Sequence, residues 1–403
     1  MPALPPDLYD ALLQLCEGLP LPPNEREGLL RPALGDWPGL ATFDWSGGAD
    51  AFAARLLDSL PGAGLQNVLR ALGRETGEAD RYNDLGRRID EASVQLATAG
   101  STPLGRHLRK SIERLSAARY RLDRRFVNLT LLLDQGPEAT SLRFITDTNR
   151  PKYTALAALL GDIDERAAVL LGRPGSGKTT LLLRLELEQT WAALAAGMPS
   201  DGPLPFFASL GSYRAADPRD RVLPPGDWLA ADWRLRRNGL DSFDACLRDG
   251  RLILLLDGLN EMPHLHPDDY EARVEQWRAF LPGAIDCGNT VIFSCRSLDY
   301  SASLNSEPAP VRQVTVEPLS REQIAEFLIR HLGEKGRAVW AALREDEHQV
   351  ELFATPFFLR LLVDQIGPEG ALPGGRAELL TGFVRRTLPV SYTHLTLPTK
   401  RIV

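Results

Sequence analysis

Ala167-Ala168-Val169-Leu170-Leu171-Gly172-Arg173-Pro174-Gly175-Ser176-Gly177-Lys178-Thr179-Thr180-Leu181-Leu182-Leu183 is the stretch that decides the fold of this chain. An apolar run enters a glycine-rich turn with the spacing G-x-x-x-x-G-K-[ST], and a leucine-rich run leaves it. That order predicts a buried strand, a tight loop and the first turn of a helix. Such a loop frees backbone N–H groups to face a polyphosphate, and the helix N-terminus adds its partial positive charge. Gly172, Arg173, Pro174, Gly175, Ser176, Gly177, Lys178, Thr179 and Thr180 are therefore expected to surround the phosphates. Lys178 can reach the outer phosphates, and the Thr179 hydroxyl is placed to ligate Mg²⁺. The pattern is built for a nucleoside triphosphate.

Working outward, buried strands alternate with helices from about residue 165, the pattern of a parallel sheet with crossover helices. Val169–Leu171, Leu204–Leu210, Leu252–Leu256 and Val291–Ser294 are the expected strands. Ligands of open α/β sheets bind at the carboxyl edge of such strands, and the chemistry-bearing residues fall there. Asp257 ends the third apolar run and is a carboxylate suited to Mg²⁺, a hard cation that prefers oxygen. Glu261 follows closely and can orient or deprotonate an attacking water. Arg296 ends the fourth run, where a guanidinium can reach a γ-phosphate and report its loss. Pro356, in Thr355-Pro356-Phe357-Phe358, breaks a helical stretch and offers an apolar surface to an adenine ring. His264 and His266, with Asp268 and Asp269, read as a polar loop past the sheet. Cys295 reads as packing, since nothing beside it supplies a general base.

The rest of the chain supplies context. Its 403 residues allow two or three domains, each with a core of its own. A formal charge of -7 argues against a general nucleic-acid binder. The basic residues are almost all arginine, which together with the alanine and leucine content we read as the codon bias of a GC-rich genome. The four cysteines show no C-x-x-C pair, so reduced cytosolic thiols are expected. No apolar run reaches the ~20 residues of a membrane span, and the first residues lack the basic-then-apolar order expected of a signal peptide. The expected location is cytoplasmic, with no membrane partner.

Residues 1–95 read as a small helical domain. Leu8, Leu12 and Leu15 share one helical face, as do Phe52, Leu56 and Leu60, then Leu65, Val68, Leu69 and Leu72. Residues 96–150 read as a helical linker with a break at Ser101–Gly105, a basic helical run from Arg106 to Leu122 and an apolar segment at Phe126–Leu131. The sheet-bearing domain is expected over 151–315, and a helical subdomain over 316–366.

Taken together, the motifs resemble the NACHT family of STAND nucleotide-binding switches, which includes bacterial and animal NLR-type immune sensors. The resemblance rests on the phosphate loop, on Leu204–Leu210, on Leu256-Asp257-Gly258-Leu259-Asn260-Glu261-Met262-Pro263 and on Phe293-Ser294-Cys295-Arg296-Ser297. Val316-Glu317-Pro318-Leu319-Ser320 and Thr355-Pro356-Phe357 extend it, so that it spans about residues 120 to 388. It implies an α/β P-loop NTPase with a preceding all-α domain and a following helical subdomain. It also implies bound ATP or ADP with Mg²⁺, slow hydrolysis, and self-association through the nucleotide-binding domain on activation. In that pattern Lys178, Glu261 and Arg296 serve catalysis, Thr179 and Asp257 hold Mg²⁺, and Pro356 contacts adenine. The family often places two acidic residues where this chain has Asn260-Glu261, which suits slow turnover. More loosely, residues 1–95 resemble death-like or effector-associated adaptor domains, which implies recruitment of an effector protein.

Residues 367–389 would then begin a winged-helix subdomain. The last stretch, 390–403, departs from the arginine-rich composition and resembles a translated sequencing-adapter tail, so the natural reading frame is expected to continue differently from about residue 389. Two other functions fit parts of the pattern. One is a P-loop ATPase acting on nucleic acid, against which the acidic balance and the lack of an aromatic-lined basic groove stand. The other is a nucleotide-binding scaffold with negligible hydrolysis, for which Asn260 is the hint.

Overall fold

The phosphate-loop stretch folds as its pattern requires, and the remainder of the domain is arranged around it. The structure is a computed structural model that describes residues 3–17, 22–35, 37–46, 49–60, 62–117, 122, 126–134, 151–214, 222–237, 239–369 and 381. Expectations for 370–380 and 382–403, which hold nearly all of the anticipated winged helix and tail, lie outside the described residues.

Among the described residues, six α-helices open the chain: α1 (Pro6–Glu17), α2 (Pro23–Leu34), α3 (Ala49–Ser59), α4 (Gly62–Thr76), α5 (Ala79–Thr98) and α6 (Pro103–Ser116). The expected break falls between α5 and α6, where the Thr102 hydroxyl accepts the Gly105 N–H and caps α6, with Pro103 at the first helical position. The stretch 96–150 is not helical throughout. Strand β1 (Leu131–Leu133) lies within it, because Val127, Leu129 and Leu131 alternate inward as a strand lead requires.

The α/β part follows as β2 (Lys152–Tyr153), α7 (Leu156–Asp162), β3 (Ala167–Gly172), α8 (Lys178–Ala195), β4 (Leu204–Ser209), α9 (Pro225–Arg236), α10 (Phe243–Arg248), β5 (Leu252–Asp257), α11 (Pro267–Asp286), β6 (Thr290–Arg296) and β7 (Val311–Val316). The seven-stranded sheet has the order β2-β1-β7-β3-β6-β5-β4. From β7 to β4 neighbouring strands are parallel, whereas β1 pairs antiparallel with both β7 and β2. All four expected strands are present. β3 sits inside the sheet, and the chain leaves it for the far edge at β4. The order therefore reverses beside β3, which makes its carboxyl end the crevice where ligands of such sheets bind.

Successive β3 residues feed opposite faces, as the period of a strand dictates. Ala167, Val169 and Leu171 join the core under α9–α11, with Trp277 at 0% exposure. Ala168 and Leu170 join the opposite core with Leu181, Leu182 and Leu185 of α8. Four helices complete that second core: α12 (Arg321–Leu332), α13 (Glu334–Leu343), α14 (Glu347–Phe353) and α15 (Pro356–Glu369).

Helix α8 is buried on most of its circumference, with leucines facing two directions around the buried Arg184 and Glu186, as suits a helix packed between two layers. While Leu181, Leu182 and Leu185 face the sheet side, Leu183, Leu187, Trp191 and Leu194 belong to the core of the N-terminal helices. The helix that begins at the phosphate loop thus also packs against α5 and α6 and shares the core of the N-terminal helices. A buried ionic cluster ties the two parts further. Arg114 of α6 donates two 2.8 Å hydrogen bonds to Glu186 of α8, whose side chain is 2% exposed. Arg237, just past α9, donates to the Pro205 carbonyl and to the His107 imidazole. Burial, with the neighbouring cations Arg237, Arg114 and Lys110, pushes His107 down to about 3, so it serves here as a neutral acceptor. Among the described residues, no helix is long and apolar enough to cross a membrane.

Candidate functional site

Strand β3 carries Gly172 to the carboxyl edge of the sheet, opposite Arg296 of β6 in register. The loop then turns through two left-handed glycines, Gly175 at φ +76° and Gly177 at φ +93°. Both also need their lack of a side chain. A Cβ on Gly175 would stand 2.6 Å from the Phe357 Cβ, and one on Gly177 would stand 2.9 Å from Leu129 Cδ1. The loop is therefore clasped between the segment leading into β1 and the start of α15. The Phe357 N–H donates to the Gly175 carbonyl at 3.1 Å. Pro356 occupies the first position of α15, where a missing N–H costs nothing.

Gly177 precedes α8, and the first N–H groups of that helix have no partner within it. The Lys178 ammonium folds over the loop, donating to the carbonyls of Gly172 at 2.9 Å and Arg173 at 3.0 Å. Burial holds Lys178 below the usual lysine range, and Asp257 opposes that shift. The Thr179 hydroxyl donates to the Asp257 carboxylate, at 2.9 and 3.1 Å to its two oxygens. So the loop threonine and the carboxylate at the end of β5 are brought together, as expected.

Two residues whose work the sequence did not reveal hold this arrangement. The buried Ser294 hydroxyl donates to Asp257 Oδ1 at 2.6 Å and accepts the Gly258 N–H at 2.8 Å. It fixes the carboxylate to the next strand. The available signal was a hydroxyl in the middle of the apolar run Val291–Cys295, since a buried hydroxyl must find partners. The second is Asn260, whose side-chain carbonyl accepts the Arg296 N–H at 3.1 Å. It joins the loop after β5 to the end of β6, a task that an ionised carboxylate and an amide oxygen can both perform.

Glu261 lies on a short helical turn that follows the left-handed Gly258 at φ +80°. Its carboxylate faces the Arg296 guanidinium at 3.8 Å, and Arg296 lies 3.9 Å from Asp299. These are long, exposed pairs that leave the guanidinium free to reorient. His264 and His266 do not converge on the loop. The His264 ring contacts the Met262 carbonyl at 2.7 Å, and His266 caps α11 with Asp269. Cys295 is fully buried in the sheet core, and burial pushes its thiol up to about 11.

A cavity of about 520 Å³ joins these groups, within the range of small-molecule sites. Its phosphate end is the loop with Asp257, Glu261 and Arg296. The rest of its lining is apolar and aromatic, with Leu122, Phe126 and Phe327 beside His331, and with Leu129 and Pro356 against the loop. The Phe327 and His331 rings stack with centroids 4.2 Å apart. The donor set fits Mg²⁺, because a hydroxyl and a carboxylate supply hard oxygens side by side. Among the described residues, no group of three or more His, Cys, Asp and Glu could hold a metal alone. A cation here would depend on phosphate oxygens as well.

Residues 166–335, from the start of β3 to the beginning of α13, match the family model described as NACHT domain. The chain carries a NACHT domain. No curated protein matches the chain. The matched span contains the phosphate loop, Asp257, Glu261 and Arg296, while the N-terminal helices, Phe126 and Pro356 lie outside it. The NACHT domain thus accounts for the phosphate end of the cavity and for part of its apolar lining through Phe327.

Proposed function

We propose that this protein is an ATP-controlled signalling switch. It would hold ADP or ATP with Mg²⁺ between the NACHT sheet and helices α12–α15, hydrolyse ATP slowly and assemble in the ATP form. The observation that carries the reading is the N–H of Phe357 on the Gly175 carbonyl, with Pro356 and Phe357 packed on the phosphate loop. A helix outside the sheet thereby touches the element that senses phosphate, so a change at the γ-phosphate has a direct path into α15.

Each residue has a task in this scheme. The loop amides and Lys178 bind the phosphates, releasing Lys178 from the Gly172 and Arg173 carbonyls. Thr179 and Asp257 would hold Mg²⁺, with Ser294 orienting the carboxylate. When bound, the cation neutralises charge on the phosphates and aligns them. Glu261 accepts a proton from the attacking water, and Arg296 exchanges its long contacts for the γ-phosphate. The base lies against the apolar lining beside Phe126 and Pro356. The N-terminal helices would recruit an effector protein once assembly brings several copies together. Nucleic acid and membranes have no part in this scheme.

Light scattering on the full chain tests it. With Mg²⁺ and ATP the mass is expected to rise to a multiple of that with Mg²⁺ and ADP. Equal masses in the two nucleotides would remove assembly from the proposal.

A further inference from the structure

Helix α1 is remote in sequence from the phosphate loop, yet one of its carboxylates meets two helices that contribute to the cavity lining. Arg330 of α12 donates to Asp10 Oδ1 at 3.0 Å, and Arg184 of α8 stands 3.7 Å from Asp10 Oδ2. The arginine side chains are only 15% and 8% exposed, so water screens these pairs weakly. Both arginines also hold Phe126, which lines the cavity. Arg330 donates to its carbonyl at 3.1 Å, and the Arg184 guanidinium lies 4.9 Å from its ring centroid. Arg184 donates as well to the carbonyl of Leu122, another cavity residue. Arg184 lies six residues along the helix from Lys178, about 9 Å at 1.5 Å per residue.

We infer that Asp10 is a latch through which docking of α1 slows the escape of nucleotide, an inference that rests on the function proposed above. The carboxylate bridges α8 and α12, which both contribute to the cavity lining, and both of its arginine partners hold Phe126. The latch can open without stranding charge. Arg184 is also paired with Glu188 at 2.7 Å, and Arg330 with Glu326 at 2.8 Å, each one turn away on its own helix. Losing Asp10 therefore leaves both guanidiniums with a partner, so release of α1 avoids the large penalty of a bare buried charge. Where the latch also tightens the equilibrium affinity for nucleotide, the coupling is reciprocal. If α1 retains nucleotide, then nucleotide retains α1, and emptying the cavity loosens the N-terminal helices that would meet a partner. Asp10 touches no ligand and acts as a positioning residue.

The test uses the full chain, fluorescent mant-ADP and an excess of unlabelled ADP. Asp10→Asn and Arg330→Gln are expected to speed release about tenfold, within the usual range of coupling between sites. Asp7→Asn is the control. It breaks the 2.9 Å pair between α1 and Arg88 of α5 without touching a cavity residue, and should leave release unchanged. Hydrogen exchange supplies a second readout: protection of residues 126–133 and of α12 should fall in Asp10→Asn with or without nucleotide. Release at the wild-type rate with unchanged protection overturns the latch, as does equal acceleration by Asp7→Asn. Failure of the wild-type protein to bind mant-ADP counts against the proposed function instead, and the exchange data then decide the latch alone.

Discussion

Lys178→Ala is expected to weaken ATP and ADP binding by at least about a hundredfold, close to 3 kcal/mol. The side chain is half-buried at the start of α8, and its ammonium already bridges two loop carbonyls. A phosphate offers it a full negative charge in place of those neutral acceptors. Hydrogen bonds to charged groups contribute about 1.5–3 kcal/mol each, and removing the lysine forfeits more than one. The loop need not collapse, since its shape is set by Gly175, Gly177 and the clasp of Leu129 and Phe357. Isothermal titration with Mg-ATP, alongside thermal unfolding to confirm the fold, reads the effect. Unchanged affinity would separate this loop from nucleotide binding.

Glu261→Gln is expected to lower ATP turnover by about 10²–10⁴-fold, the usual contribution of a general base. The substitution keeps the shape of the side chain and of its turn, where the Glu261 N–H donates to the Gly258 carbonyl at 2.8 Å. Only the proton acceptor is lost. Affinity for ATP should stay within about threefold, because the phosphates are held from the loop and α8. The variant should therefore accumulate in the ATP-bound, assembled form. Turnover at the wild-type rate would take Glu261 out of the reaction and turn attention to Asp299 and Arg296, its neighbours in the same cluster.

Legibility in the sequence followed the range of the interactions. The phosphate loop could be read because its constraints are local: two left-handed glycines, a lysine and a threonine at fixed offsets within a few residues. Strands β3, β4, β5 and β6 could be read because each is buried on both faces and so is nearly uniformly apolar. Strand β7 (Val-Arg-Gln-Val-Thr-Val) could not, since Arg312 and Gln313 interrupt it. Arg312 is there to pair with Asp134 and Glu165, partners far away in the chain. The same applies to Ser294, Asn260 and Asp10, whose roles depend on which elements the fold sets side by side. The leucines of α1, α3 and α4 announced helices, and those helices are present. Their sharing of a core with α8 was invisible, because the second apolar face of α8 reads only as a richer run of leucine.

We expect this NACHT domain to keep a nucleotide in the cavity between its sheet and the helices that follow. Denaturing freshly purified protein and separating what it releases by chromatography tests that most directly. Close to one equivalent of ADP is the expected result, with exchange rather than chemistry as the controlled step. An empty protein that turns over added ATP freely would contradict it, and would describe an ordinary NTPase instead of a switch.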